Sequence, residues 1–311
     1  MQNKYVLLFP GQGSQSVGMG KELFSEFKQV QTIFEEASDT LGFNMSRLCF
    51  EDPEGKLNLT EFTQPAILTL SIAILRTLEA HKKMEFNLVA GHSLGEYSAL
   101  VSIGALKFSD ALKAVHFRGQ AMQRAVPVGV GAMAAYLGNK CEEIPPLCKE
   151  ISSINNVVEV VNFNSSGQLV LSGHKTAVEQ VCAIIAEKRL GKAKSLPVSA
   201  PFHSSLMKPA ANEMAEFLGN VTLHSFEKNI VANVDAKIHT AKTYTKDILV
   251  KQIASAVLWT QTLSTIHSQN SEYKWIEVGP GKVLCGLANK TIESVSCETT
   301  HNYEALKALL D

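Results

Sequence analysis

The sequence predicts an α/β fold: a large domain built on a parallel sheet, into which a small β-α-β-β-α-β subdomain of the ferredoxin type is inserted. Three observations lead there. Short apolar strands alternate with helical stretches through the first third, the pattern of a parallel sheet covered on both faces. The middle runs strand, helix, two strands joined by the turn-rich Asn164-Ser165-Ser166-Gly167, helix and strand. The last third returns to helices and strands. A chain of 311 residues, 45% of them apolar, is ample for one large core and one small one.

The elements follow in order. An apolar strand at 5–9 stops at Pro10-Gly11 and enters the glycine-rich Gly11-Gln12-Gly13-Ser14-Gln15; a helix covers 22–37. The apolar stretch 66–78 lies in a helix at 65–80; it is too short for a membrane span and holds Thr69, Ser71, Arg76 and Thr77, so it reads as a buried core helix. A second strand, 86–90, runs into Gly91-His92-Ser93-Leu94-Gly95, and a helix follows at once. The next helix spans 109–125, with Ser109 as its N-cap. After Pro127-Val128-Gly129 come a strand at 132–137, a helix at 141–151, strands at 157–163 and 168–172, a helix at 175–188 and a strand at 193–198. Helices at 206–218 and 246–256, strands at 230–233 and 275–278, and a helix after Gly281 complete the chain. The expected division is a large domain of 1–127 and 198–311 around a subdomain of 128–197.

Composition limits the function. The 29 Lys and Arg balance 30 Asp and Glu, so no global field points to nucleic acid or an anionic membrane. Six scattered cysteines, without a C-x-x-C pair or metal-type spacing, read as reduced structural thiols in a cytoplasmic protein. Neither a signal peptide nor a membrane helix is expected.

The chemistry begins at Ser93. Gly91-His92-Ser93-Leu94-Gly95 fits G-x-S-x-G, with an apolar strand before it and a helix after, as in an α/β-hydrolase-like domain. Such a turn lifts the serine oxygen out of the sheet, and the helix N-terminus offers N–H groups to a developing oxyanion. A serine hydroxyl needs a base. Of nine histidines, His203 in Pro201-Phe202-His203-Ser204-Ser205 lies in a loop before a helix, where it can be aimed. A loop histidine is more often exposed than catalytic, so the residues alone leave its role open. No acid between Ser93 and His203 suits a triad: Asp110 opens the next helix, Glu96 follows the elbow too closely, and the other glutamates fall in the inserted unit. The hydrolase reading weakens accordingly.

The chain resembles the malonyl-CoA:acyl-carrier-protein transacylases of fatty-acid synthesis and the matching acyltransferase domains of polyketide synthases. The resemblance lies in Phe9-Pro10-Gly11-Gln12-Gly13-Ser14-Gln15, the elbow with Glu96-Tyr97-Ser98-Ala99-Leu100, Arg118-Gly119-Gln120-Ala121-Met122-Gln123, Asn162-Phe163-Asn164 and Glu277-Val278-Gly279-Pro280-Gly281-Lys282. It implies Ser93 as nucleophile and His203 as general base and acid in a dyad, with the imidazole oriented by the backbone carbonyl of Gln252. It further implies an oxyanion hole from the backbone N–H groups of Gln12 and Leu94, and Arg118 as the clamp for a malonyl carboxylate. The implied partners are malonyl-CoA and acyl carrier protein. No metal or cofactor is expected, and a monomer is. Phe202, before the base, is similar to the phenylalanine that malonyl-selective polyketide enzymes often carry there, and this resemblance implies little room for a methyl-branched acyl group. Two other functions stand against this one: a serine thioesterase or hydrolase, and a non-catalytic scaffold for acyl carrier protein.

Overall fold

The structure, a computed structural model, describes residues 5–82, 84–198 and 200–311. Residues 1–4, which the expected large domain includes, lie outside it.

Strands β1 (Tyr5–Phe9), β2 (Phe86–Gly91), β3 (Gly131–Leu137), β4 (Val158–Ser165), β5 (Gln168–His174), β6 (Lys192–Ser195), β7 (Asn229–Val231), β8 (Ile238–His239), β9 (Lys274–Glu277) and β10 (Cys297–Thr299) form two sheets. The first has the order β10-β9-β1-β2-β7-β8, parallel throughout except for the β7–β8 edge pair. Its strands are apolar on both faces because both are covered. Leu7, Phe9, Val89, Ile230 and Ile276 join one core, while Val6, Leu8, Leu88, Ala90, Val231 and Trp275 join another. This alternation is the period of two that a strand imposes.

The helix Thr60–His81 crosses the larger core, and Ala66 to Leu75 are buried almost without a break. Its polar side chains turn back onto the helix: Thr69 Oγ1 donates to the Pro65 carbonyl (2.7 Å) and Thr77 Oγ1 to that of Ala73 (2.9 Å). Pro65 has no N–H for the carbonyl four residues before it, Glu61. His116 Nδ1 donates to that oxygen instead, at 2.8 Å.

The second sheet is antiparallel, in the order β4-β5-β3-β6. One face packs on the helices Ile144–Ile151 and Lys175–Glu187 to make its own core around Tyr136, Leu147, Leu171 and Val181. The other face sends Met133, Val161 and Val170 into the larger core. Val257 ties the sheets together, bonding main chain to main chain on both sides of Asn162, at Val161 and Phe163.

Several expectations need correction. The helix foreseen at 22–37 is two, Lys21–Glu26 and Lys28–Leu41, interrupted by extended backbone at Phe27. The ring of Phe27 packs on those of His81 and Tyr303, a distant contact that takes precedence over helical continuity. Ser109 is not an N-cap: the helix Phe108–Arg124 begins one residue earlier, where Phe108 is buried. Apolar packing decides that boundary. The thiols are not all free either. Cys285, in the helix Val283–Thr291, forms a disulfide with Cys297 of β10, while Cys49, Cys141, Cys148 and Cys182 remain thiols. The helix packs back over β10 and brings the two Cα atoms to 5.3 Å, within disulfide reach. Thiol state therefore says nothing here about compartment. Among the described residues no helix is long and apolar enough to cross a membrane.

Candidate active site

Parallel strands end on the same side of a sheet, so the loops leaving them gather there. Phe9 of β1 pairs with Gly91 of β2, which sets the Gln12 loop directly beside the serine turn. The turn is possible only because Gly91 and Gly95 lack side chains. A Cβ on Gly91 would lie 1.9 Å from the Gly95 carbonyl, and one on Gly95 would lie 2.0 Å from that of Phe9. Between them Ser93 takes the left-handed conformation, φ 52°. This strained geometry is held by Asn233, two residues beyond β7: its Oδ1 accepts from the Ser93 N–H (2.7 Å) and its Nδ2 donates to the Gly91 carbonyl (2.7 Å).

His203 also has a positive φ, 63°, and is 6% exposed. Its Nδ1 lies 2.8 Å from the main-chain oxygen of Gln252, near the end of the helix Lys246–Ile253. A carbonyl only accepts, so Nδ1 carries the proton and Nε2 is left as the acceptor. Ser93 Oγ lies 2.7 Å from that Nε2. Burial first, then the nearby charge of Arg118, push the imidazole down to about 3, so it is neutral near neutral pH.

Arg118 comes from the helix Phe108–Arg124 and is 1% exposed. Nη1 donates to Gln64 Oε1 (2.9 Å); Nη2 donates to Gln252 Oε1 (2.9 Å) and to Ser93 Oγ (3.2 Å). Its Nε has no partner among the described residues. The guanidinium thus faces the serine oxygen with donor capacity to spare.

Gln12 and Leu94 line the same cleft of about 180 Å³, together with Ser93, His203 and Arg118. Neither of their main-chain N–H groups has a partner among the described residues. The lining also includes the polar Gln64, His92, Asn162 and Asn164 and the apolar Met122, Met133, Val170, Leu196, Val198 and Phe202. His92 is held by other partners. Its Nε2 lies 2.9 Å from Asn164 Oδ1, and its ring meets the edge of Trp259.

All six residues named from the sequence therefore meet at one cleft, with Gln252 reaching it through His203 and Arg118. Sequence reasoning missed the supports. Gln64 was legible as an uncharged polar residue just before a long apolar run, a position where a buried side chain needs a partner. Asn233 had a weaker signal, a polar residue at the end of the expected strand 230–233. Glu96, unsuited to a triad by its place after the elbow, accepts a hydrogen bond from Gln252, at 2.7 Å.

A family model for the acyl transferase domain matches residues 6–306. The malonyl CoA-acyl carrier protein transacylase of Escherichia coli strain K12 is 41% identical over 308 residues, covering 99% of each chain. That of Bacillus subtilis is 41% identical over 288 residues, 93% of this chain and 90% of its own. Among solved structures, the malonyl-CoA:acyl carrier protein transacylase of Xanthomonas oryzae superposes with a TM-score of 0.95 at 39% identity, covering 100% of this chain and 98% of its own. A malonyl-transacylase solved in complex with its type II PKS acyl-carrier protein matches with a TM-score of 0.94 at 40% identity, over 99% of each chain.

Proposed function

The chain belongs to the acyl transferase family, among the malonyl CoA-acyl carrier protein transacylases, and from that premise we propose that it moves malonyl from coenzyme A to the phosphopantetheine thiol of an acyl carrier protein. One observation carries the reading: Ser93 Oγ lies within hydrogen-bond reach of a neutral imidazole on one side and of a buried guanidinium on the other. The first activates a nucleophile. The second selects an acyl group that ends in an anion.

The reaction proceeds in two halves. Ser93 Oγ attacks the thioester carbonyl of malonyl-CoA as its proton passes to His203 Nε2. The oxyanion is received by the N–H groups of Gln12 and Leu94. The tetrahedral intermediate collapses, the C–S bond breaks, and the imidazolium returns the proton to the departing thiolate. In the second half the carrier thiol gives its proton to His203 and attacks the ester; Ser93 Oγ leaves and recovers the proton. The Gln252 carbonyl keeps Nδ1 protonated throughout, a role often filled by a carboxylate. Acyl exchange between oxygen and sulfur needs neither metal nor redox group.

Arg118 clamps the malonyl carboxylate by releasing Ser93 and using its spare donors, while Phe202 and the other apolar side chains narrow the cleft around the acyl chain. In this reading residues 128–197 form a ferredoxin-like subdomain set into an α/β-hydrolase-like domain of 1–127 and 198–311. The four-stranded sheet with its two helices supports that division. Every residue given a role belongs to one chain, so a monomer suffices.

A partition experiment tests the reaction. With radiolabelled malonyl-CoA alone, the chain retains about one malonyl per Ser93 and releases little as free acid; adding holo carrier protein moves the label onto the carrier. Rapid release of malonate with no carrier labelling would make the chain a hydrolase. No protein-bound label in either form would make it a binding scaffold.

A further inference from the structure

Glu96 stands in the first turn of the helix that follows Ser93, and none of it reaches solvent. A carboxylate survives there only if donors replace its water. Tyr244 OH donates to Oε1 (2.6 Å), while Gln252 Nε2 (2.7 Å) and the Asn233 main-chain N–H (3.1 Å) donate to Oε2. Two of these partners also hold the reacting groups. Asn233 pins the elbow at Ser93 and Gly91. Gln252 receives His203 on its main-chain oxygen and Arg118 on its side-chain oxygen, and its Nε2 also donates to the Ser93 carbonyl (2.9 Å).

From this convergence we infer that Glu96 is a positioning residue of the transfer reaction, acting through the Gln252 carboxamide to set Arg118 against Ser93. The inference rests on the acyl-transfer reading above. An amide has one donating end and one accepting end. Burial raises the Glu96 carboxyl above its ordinary range, and the hydrogen bonds from Tyr244, Gln252 and Asn233, with the charge of Arg118, oppose that rise. With three donors on it the carboxylate only accepts, so it takes Nε2; this leaves Oε1 for Arg118, which only donates. The carboxylate therefore fixes which way the amide faces, and with it the acceptor that holds the guanidinium. It also places a negative charge one neutral group away from a buried cation before any substrate anion arrives. With Glu96→Gln, amide faces amide, and the orientation that keeps Oε1 on Arg118 is left to the Ser93 carbonyl and to Arg118 itself.

A double-mutant cycle tests it, with wild-type malonyl transfer as the reference. Glu96→Gln lowers kcat about 10²-fold, the scale on which small misplacements of reacting groups act, and leaves KM for the carrier near that of the wild type. Gln252→Ala, which keeps the main-chain carbonyl, costs a comparable factor. Because one residue works through the other, the double variant is no slower than the slower single. Losses that multiply in an active, folded protein overturn the inference while the transfer reading stands. A wild-type chain without malonyl transfer overturns both. If thermal unfolding shows that Glu96→Gln does not fold, Tyr244→Phe takes its place in the cycle by removing one donor from the carboxylate. Its loss in kcat must vanish in the Gln252→Ala background; a loss that persists there overturns the inference.

Discussion

His203→Ala slows both acylation of Ser93 and its discharge to the carrier thiol by about 10²–10⁴-fold, the usual scale of general acid–base catalysis. One imidazole serves both halves, so neither is spared. Single-turnover rates measured separately with malonyl-CoA and with carrier protein check this. Near-normal acylation would require another base, and His92, held by Asn164 and Trp259, would be the next to test. The pH dependence follows from the same ring. Its ordinary value of 6.5 is lowered by burial and by Arg118, so the base stays unprotonated, and acylation by the free enzyme keeps its rate, below pH 6.5. The sign for stability agrees. The unfolded chain takes up this proton near 6.5 and the folded chain only near 3, so the contribution of His203 is complete above 6.5 and is lost as pH falls between the two. An acid limb at or above 6.5 in single-turnover acylation contradicts a desolvated, neutral imidazole.

Arg118→Ala inverts the acyl preference. Malonyl ends in a carboxylate that must lose its water to enter the cleft, and desolvation without a partner costs several kcal/mol. A charge-assisted hydrogen bond contributes about 1.5–3 kcal/mol, so losing a two-bonded clamp lowers malonyl transfer at least about 10²-fold. Acetyl has no anion to pair. Its transfer holds or rises, because removing the cation also relieves the charge that disfavours the imidazolium formed in the reaction. Arg118→Lys recovers part of the malonyl rate, since an ammonium cannot reproduce the planar fork. The ratio of kcat/KM for malonyl-CoA to that for acetyl-CoA is the quantity to measure. Equal losses for both would mean that Arg118 serves Gln252, Gln64 and the fold and does not read the substrate.

The sequence was most legible where the physics is local. A buried strand running through Gly-x-Ser-x-Gly into a helix has few ways to fold, and the contacts that exclude a Cβ at Gly91 and Gly95 show why. The alternation of strands and helices likewise foretold a parallel sheet, and the middle stretch the strand and helix order of the second sheet. Legibility failed where distant residues decide. The break at Phe27 comes from rings at His81 and Tyr303. The Cys285–Cys297 pair comes from the placing of β10 beside β9, which a spacing of 12 residues does not reveal. Glu96 finds its partners 137–156 residues away, at Asn233, Tyr244 and Gln252, so its position after the elbow carried no hint of them. The helix Trp259–Gln269 is hidden too, as its polar threonines and serines obscure the buried stripe of Trp259, Leu263 and Ile266.

The central claim is that malonyl resides on the Ser93 oxygen between donor and acceptor. Intact-mass spectrometry after brief exposure to malonyl-CoA tests it most directly, with peptide mapping to locate the adduct. Wild-type chain gains one malonyl per molecule, mapped to Ser93, and loses it when holo carrier protein is added. Ser93→Ala, which removes one hydroxyl from the cleft and leaves the fold intact, gains none. A stoichiometric malonyl ester on the Ser93→Ala protein, or on any other residue of the wild type, contradicts the account.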